Sequence, residues 1–132
     1  MLNDCAEAIR YVKLVNTPNV KVMLDNFHMN IEEDSIADAI SFAQQKGRLG
    51  HLHVGESNRR IPGFDGKTHM DWDAILSAVK ACGYSGYITM EPFMKMGMTT
   101  ICCWRDLSHG ADLEKMTEYA KAGAQFLRSK LI

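Results

Sequence analysis

Long hydrophobic runs are missing from this sequence. No stretch approaches the roughly 20 apolar residues that a membrane-spanning helix needs. MLNDCAEAIRYV also lacks the basic start, apolar stretch and small-residue cleavage site of a secretory leader, so none is expected there. The expected location is therefore the cytoplasm, with no membrane partner. An excess of one charge is absent: 15 basic and 16 acidic side chains among 132 residues leave a net charge of −1. That balance gives no electrostatic footprint for nucleic acid. Cysteine is sparse and unpaired in pattern. Cys5, Cys82, Cys102 and Cys103 form no CxxC motif, which argues for reduced thiols and against a zinc ribbon. Neither GxGxxG nor GxxxxGK[ST] occurs, so no dinucleotide or P-loop site is indicated.

What is present is the composition of a folded globular chain, 46% hydrophobic and 23% charged. One domain over residues 1–132 is expected, with most of the nine methionines serving as packing. The pattern alternates helix and strand. Residues 3–15 read as a helix capped by Asn3 or Asp4, with Ala8, Val12 and Val15 on one face. A short β-rich run, Val20 to Leu24, ends at Asp25, and residues 26–34 read as a polar loop. A second helix spans about Ser35 to Lys46, with Ile36, Ala39, Ile40 and Ala43 as its stripe and Gly47 at its end. A strand follows at Leu49–Val54, then a loop over about 55–70. A helix from Asp71 or Asp73 carries Ile75, Ala78, Val79 and Cys82 and stops at Gly83. The third strand is Gly86–Glu91, stopped by Pro92, with another long loop over about 94–111. The last helix starts near Asp112 and is expected to bury Leu113, Met116, Ala120, Ala124, Leu127 and Leu131. Strands joined by helical crossovers pair in parallel, so the class is α/β with parallel strands and outer helices.

Each strand ends in a metal-ligand type: Asp25, His53 and Glu91. Residues two apart share a face of a strand. His51 and His53 therefore oppose Leu52 and Val54, while Tyr87, Thr89 and Glu91 oppose Ile88 and Met90. Taken singly, a strand-end Asp is more often an N-cap, an HxH more often core histidine, and a Glu before Pro more often a surface carboxylate. Three successive strand ends of matching parity favour joint ligation. A mixed oxygen and nitrogen set without thiolate suits Mn²⁺, Mg²⁺ or Co²⁺ rather than structural zinc. His28 and Arg59 lie just beyond two of these ends and could grip substrate hydroxyls. Asn58, Arg60, Glu56 and Glu32 have weaker claims.

The strings LDNFHMNIEED, GHLHVGESNRRIPG, HMDWDAILSAVKACGYSGYITMEPF and WRDLSHGAD resemble the ketose 3-epimerases. These are the D-tagatose 3-epimerase and D-psicose 3-epimerase family within the xylose-isomerase-like barrels. The resemblance runs from about Leu2 to Leu131. It implies a (β/α)₈ barrel with one divalent ion, Mn²⁺ first and Co²⁺ or Mg²⁺ as alternatives, held by a Glu-Asp-His-Glu set. By position it implies Asp25, His53 and Glu91 as ligands on the sixth, seventh and eighth strands. Glu91 is then also a catalytic carboxylate, and His28 and Arg59 contact substrate oxygens. The implied chemistry removes the C3 proton of a keto sugar to give a cis-enediolate and returns a proton from the opposite face.

The family's first glutamate ligand, which is also its second acid/base, would fall before Met1. The chain then corresponds to the last three βα units of the barrel plus a leading helix, and is expected to be weakly active or inactive alone. A bare inner sheet face predicts a homo-oligomer. A non-catalytic, self-associating partial barrel and a sugar isomerase of the same barrel type are the competing readings. Smaller departures from the family pattern are Asn26 where Thr is usual, Gly55, and the Met-rich loop KMGMTTICC.

Overall fold

In the computed structural model of this chain the described residues are 2–63, 66, 68–92 and 113–132. Asp4 opens the first helix, its side chain accepting the Glu7 N–H at 2.7 Å, and helix α1 spans Cys5–Val15. Asn16, in the left-handed region at φ 52°, ends it. The buried stripe is Cys5, Ile9 and Val12 rather than the expected Ala8, Val12 and Val15. Val15 is 40% exposed, because α1 packs on β1 and α3 through its larger Ile9 side chain.

Three parallel strands form one sheet in the order β1-β2-β3: β1 Val22–Asp25, β2 Leu49–Val54 and β3 Ile88–Met90. β3 is shorter than the expected Gly86–Glu91. Backbone bonds nevertheless continue on both sides of it, from Leu52 N–H to the Tyr87 carbonyl and from Glu91 N–H to the Val54 carbonyl, each at 3.4 Å. The register pairs Val22 with Leu49, then Met23 with His51, Leu24 with Leu52 and Asp25 with His53. Gly50 is the unpaired extra residue of this step, a β-bulge. It lets Leu49 and Leu52 both face the helices, while His51 and His53 keep to the other face. A Cβ at Gly50 would stand 2.8 Å from the Lys21 Cβ, so the bulge needs glycine.

One reading is corrected. Residues 26–34 are not all loop: α2 spans Asn26–Glu32. Asp25 caps it, Oδ1 accepting the Phe27 N–H at 3.0 Å, and only Asn26 and Met29 are buried. A polar helix of two turns leaves no hydrophobic period to read. Helix α3, Ile36–Gln45, is capped by Ser35 and buries Ala39, Ile40 and Ala43. Helix α4, Trp72–Ala81, is capped by Asp71 and buries Trp72, Ile75, Leu76 and Val79. Helix α5 spans Leu113–Leu131 and buries only Gly123 and Leu127. Leu113 is 77% exposed and Ala120 is also exposed, against expectation, because among the described residues α5 packs along one narrow seam, on α4, Met90 and the loop at Ile61 and Gly63. Gly123 sits in that seam, where a Cβ would meet Met90 Sδ at 2.6 Å.

The core lies between the outer face of the sheet and the helices, from Ile9 and Val12 through Leu24, Ile40 and Leu52 to Leu76 and Val79. None of the described helices is long and apolar enough to cross a membrane. Cys5 and Cys82 are free thiols, and Cys102, Cys103, the expected 94–111 loop and the WRDLSHGAD string lie outside the described residues.

Burial, helped by the nearby Glu33 and Asp4 carboxylates, pushes the Cys5 thiol up to about 11 from 9.0. The folded state thus holds this proton more tightly than the unfolded chain. The resulting stability is complete below about pH 9 and is lost as pH rises toward 11. Thiolate is the reactive form. Iodoacetamide at pH 8, followed by peptide mass spectrometry, should therefore label Cys5 at least about tenfold more slowly than the half-buried Cys82.

Candidate metal centre

The sheet register aligns the carboxyl ends of the strands. Asp25 pairs with His53, and Glu91 follows β3 with its N–H on the Val54 carbonyl. One ligand atom from each of Asp25, His53 and Glu91 lies within 4.8 Å of the others. His53 Nδ1 is 3.6 Å from Glu91 Oε2. Asp25 does two things at once: Oδ1 caps α2, and Oδ2 turns toward the cluster. The N-cap and ligand readings of this residue are compatible because a carboxylate has two oxygens.

Arg59 enters the same space. Its Nη1 lies 3.4 Å from Glu91 Oε2 and 4.0 Å from Asp25 Oδ2. Its Nη2 lies 3.2 Å from His28 Nε2, which is itself 3.8 Å from Asp25 Oδ2. The guanidinium stacks on the Phe27 ring, 3.5 Å from its centroid. All five singled-out residues thus meet in one place. His51 does not join them. It packs edge-on to the His53 ring at 5.1 Å and bonds Thr89 Oγ1 at 3.0 Å, one step back along the sheet face.

Two buried residues hold this arrangement. The Asn26 side-chain amide donates to the Gly55 carbonyl at 3.1 Å and accepts the Gly55 N–H at 2.8 Å. It extends the β1-β2 ladder by one pair beyond Asp25 and His53. Asn26 and Gly55, two of the departures noted in the sequence, are therefore each other's partners. Glu56, 1% exposed, organises the following loop. Its Oε1 accepts Gly63 N–H at 2.8 Å and Trp72 Nε1–H at 2.7 Å, and its Oε2 accepts the Thr68 hydroxyl. Its backbone closes a turn, Arg59 N–H to the Glu56 carbonyl and Glu56 N–H to the Arg60 carbonyl, both at 2.9 Å. Sequence reasoning gave Glu56 a weak claim as a site residue. Its place is underneath the site, where the signal was a loop carboxyl with a tryptophan sixteen residues on, at the start of the next helix. Asn58 closes a local turn on the Arg60 N–H at 3.2 Å, and Glu32 is exposed at the end of α2.

The donor set suits a divalent ion. Two donors on one ion lie at most about 4.2 Å apart, twice a bond of about 2.1 Å, so small side-chain adjustments suffice. Two carboxylates and one imidazole match a hard to borderline ion, and three protein ligands leave positions for water or substrate oxygens.

The sequence profile of the family described as "Xylose isomerase-like TIM barrel" matches residues 1–130. This chain belongs to that family. The D-psicose 3-epimerase of Agrobacterium fabrum is 52% identical over 131 residues, covering 97% of this chain and 44% of that protein. The D-psicose 3-epimerase of Ruminiclostridium cellulolyticum is 47% identical over 131 residues, 97% of this chain and 43% of that one. The crystal structure of D-psicose 3-epimerase with D-tagatose from Clostridium cellulolyticum H10 superposes with a TM-score of 0.88 at 46% identity, covering 99% of this chain and 45% of that chain. The chain spans less than half the length of these relatives. The expected class is borne out: three parallel strands with outer helices form part of a TIM barrel, and the resemblance to ketose 3-epimerases holds along the chain.

Because the buried Glu56 carboxylate accepts two N–H donors and a hydroxyl, Glu56→Ala should cost about 2–4 kcal/mol in urea unfolding. Glu56→Gln keeps an acceptor for Gly63 and Trp72 and should cost about 1 kcal/mol or less. Equal losses in the two variants would show that the carboxyl oxygens are not what the loop depends on.

Proposed function

We propose that this chain supplies the Asp25, His53 and Glu91 side of a metal-dependent ketose 3-epimerase centre. Its substrate is a keto sugar such as D-psicose, D-fructose or D-tagatose, and its ion is Mn²⁺, with Co²⁺ or Mg²⁺ as chemically adequate alternatives. One observation carries this reading: two carboxylates and an imidazole converge within 4.8 Å at the ends of adjacent parallel strands. The D-psicose 3-epimerase relatives supply the substrate class.

Epimerisation at C3 inverts one carbon, so a proton leaves one face and another returns on the opposite face. A bound divalent ion supplies Lewis acidity beside the C2 carbonyl, which makes the C3 proton easier to remove. Glu91 is the proton carrier on one face. Its side chain is 42% exposed and so within reach of a bound sugar. It takes the C3 proton and leaves the electron pair shared over C3, C2 and the C2 oxygen, a cis-enediolate. Asp25, tied down by its cap, and His53 act as ligands. His28 and Arg59 orient the sugar, the guanidinium donating to its hydroxyls. The opposite face needs a second carboxylate, and the described residues of the cluster offer only Asp25 and Glu91. The chain by itself therefore epimerises slowly or not at all.

A second reading, self-association, is favoured by the edge of the sheet. A groove of about 390 Å³ beside β1 is lined by Leu2, Ala8, Tyr11, Val20 and Met23. Met23 is 53% exposed and Tyr87 83%. Light scattering after size exclusion should give a mass above 14.8 kDa, and a well-folded monomer would sink this reading.

Mn²⁺ at about five times its Kd should raise the melting temperature by about 3–5 °C, for about 1 kcal/mol of linkage in a chain of 132 residues. Asp25→Ala, His53→Ala and Glu91→Ala should each abolish the shift, and a shift that survives all three rejects the ligand assignment. Turnover of D-fructose by the chain alone should stay well below about 1 per second. A rate at or above that value would mean that a second carboxylate is not required.

A further inference from the structure

We propose that Arg59 is an internal counter-cation of the Asp25–His53–Glu91 cluster. It holds the two carboxylates together when no divalent ion is bound, competes with that ion for them, and is released by it toward the sugar. The inference rests on the metal reading above and adds a conformational step to it.

The oxygens that Arg59 touches are the available ones. Asp25 Oδ1 is already engaged by the Phe27 N–H, so Oδ2 is the oxygen left for a cation, and Arg59 Nη1 stands 4.0 Å from it and 3.4 Å from Glu91 Oε2. A guanidinium and a divalent ion therefore seek the same lone pairs. Two carboxylates carry two negative charges. Arg59 compensates one of them, and a divalent ion compensates both. With the ion in place the two carboxylates are already neutralised, so the attraction that holds the guanidinium at separations of 3.4–4.0 Å falls toward zero.

The approach of Arg59 is built into the loop. Arg59 has φ 64°, a left-handed conformation that a long side chain adopts only when the surroundings impose it. The Glu56–Arg60 turn imposes it, and Glu56 is locked beneath by Gly63, Thr68 and Trp72. Helix α2 receives the side chain. It presents Asp25 at its cap, the Phe27 ring under the guanidinium at 3.5 Å, and His28 Nε2 at 3.2 Å from Nη2. Arginine carries no acceptor, so in this contact the Nη2–H faces the Nε2 of His28. Displacement frees His28 Nε2 together with the guanidinium, so two groups for sugar oxygens become available in one event.

The test uses Mn²⁺ alone, at constant pH, by isothermal titration of the chain. Arg59→Gln, which removes the charge and keeps a polar side chain, should bind Mn²⁺ about tenfold more tightly than wild type. Without metal it should melt about 2–5 °C lower, because the carboxylates then repel each other uncompensated. In wild type, the Arg59 Hε resonance, shifted upfield by the Phe27 ring, should move toward the position of a solvated arginine on saturation with diamagnetic Mg²⁺. This measurement stands even if the variant folds poorly. Asp25-dependent binding that is equal or weaker in Arg59→Gln, or an Hε resonance that Mg²⁺ leaves in place, overturns this inference alone. No Mn²⁺ binding by either protein overturns the metal reading and this inference with it.

Discussion

The register of the central strand β2 is the constraint on which the rest depends. A strand shifted by one residue would turn every side chain to the other face. Here the shift is used once and locally. The bulge at Gly50 lets Leu49 oppose Val22 on the helix side and still sets His51 opposite Met23 on the other. From that point Leu24 and Leu52 enter the core together, and Asp25 and His53 leave it together. Fixing the register for burial therefore also fixes the spacing of the polar strand ends. The stabilising apolar contacts and the polar cluster are two faces of one alignment.

Above the strands, polar groups continue the work of the ladder. The Asn26 amide bonds both backbone groups of Gly55, and Glu56 gathers Gly63, Thr68 and Trp72. Buried polar groups are costly unless satisfied, and satisfied ones permit a single arrangement. That matters for a loop whose described residues, 55–63, 66 and 68–70, lie outside the α-helices and strands. The loop sets Arg59 in its left-handed conformation without a helix or strand to carry it.

Much of this was legible in the sequence. The strands and the long helices stand where branched residues and caps placed them, and matching parity brought out Asp25, His53 and Glu91. Helix α2 was hidden, because seven residues with two buried side chains carry no period. The buried faces of α1 and α5 were set by neighbours rather than by spacing. Val15 and Leu113 are apolar side chains in the right rhythm that no described residue covers. The bulge was also invisible, since Gly50 reads as an ordinary weak strand residue until the position of Lys21 is known. Glu56 shows the opposite error: a carboxyl in a site-like string looked chemical, and its partners make it architectural.

The seam of α5 reaches further than its few buried residues suggest. A Cβ on Gly63 would lie 2.6 Å from the Phe126 ring, and Phe126 stands edge-on to Trp72 at 5.8 Å between centroids. Gly63 and Trp72 are both bonded to Glu56. The C-terminal helix thus leans on the loop that carries Arg59, through two aromatic rings and one glycine. Helix α5 and the loop are coupled through shared packing. Whatever is joined after Ile132 therefore pulls on a helix that packs against the support of the loop carrying Arg59.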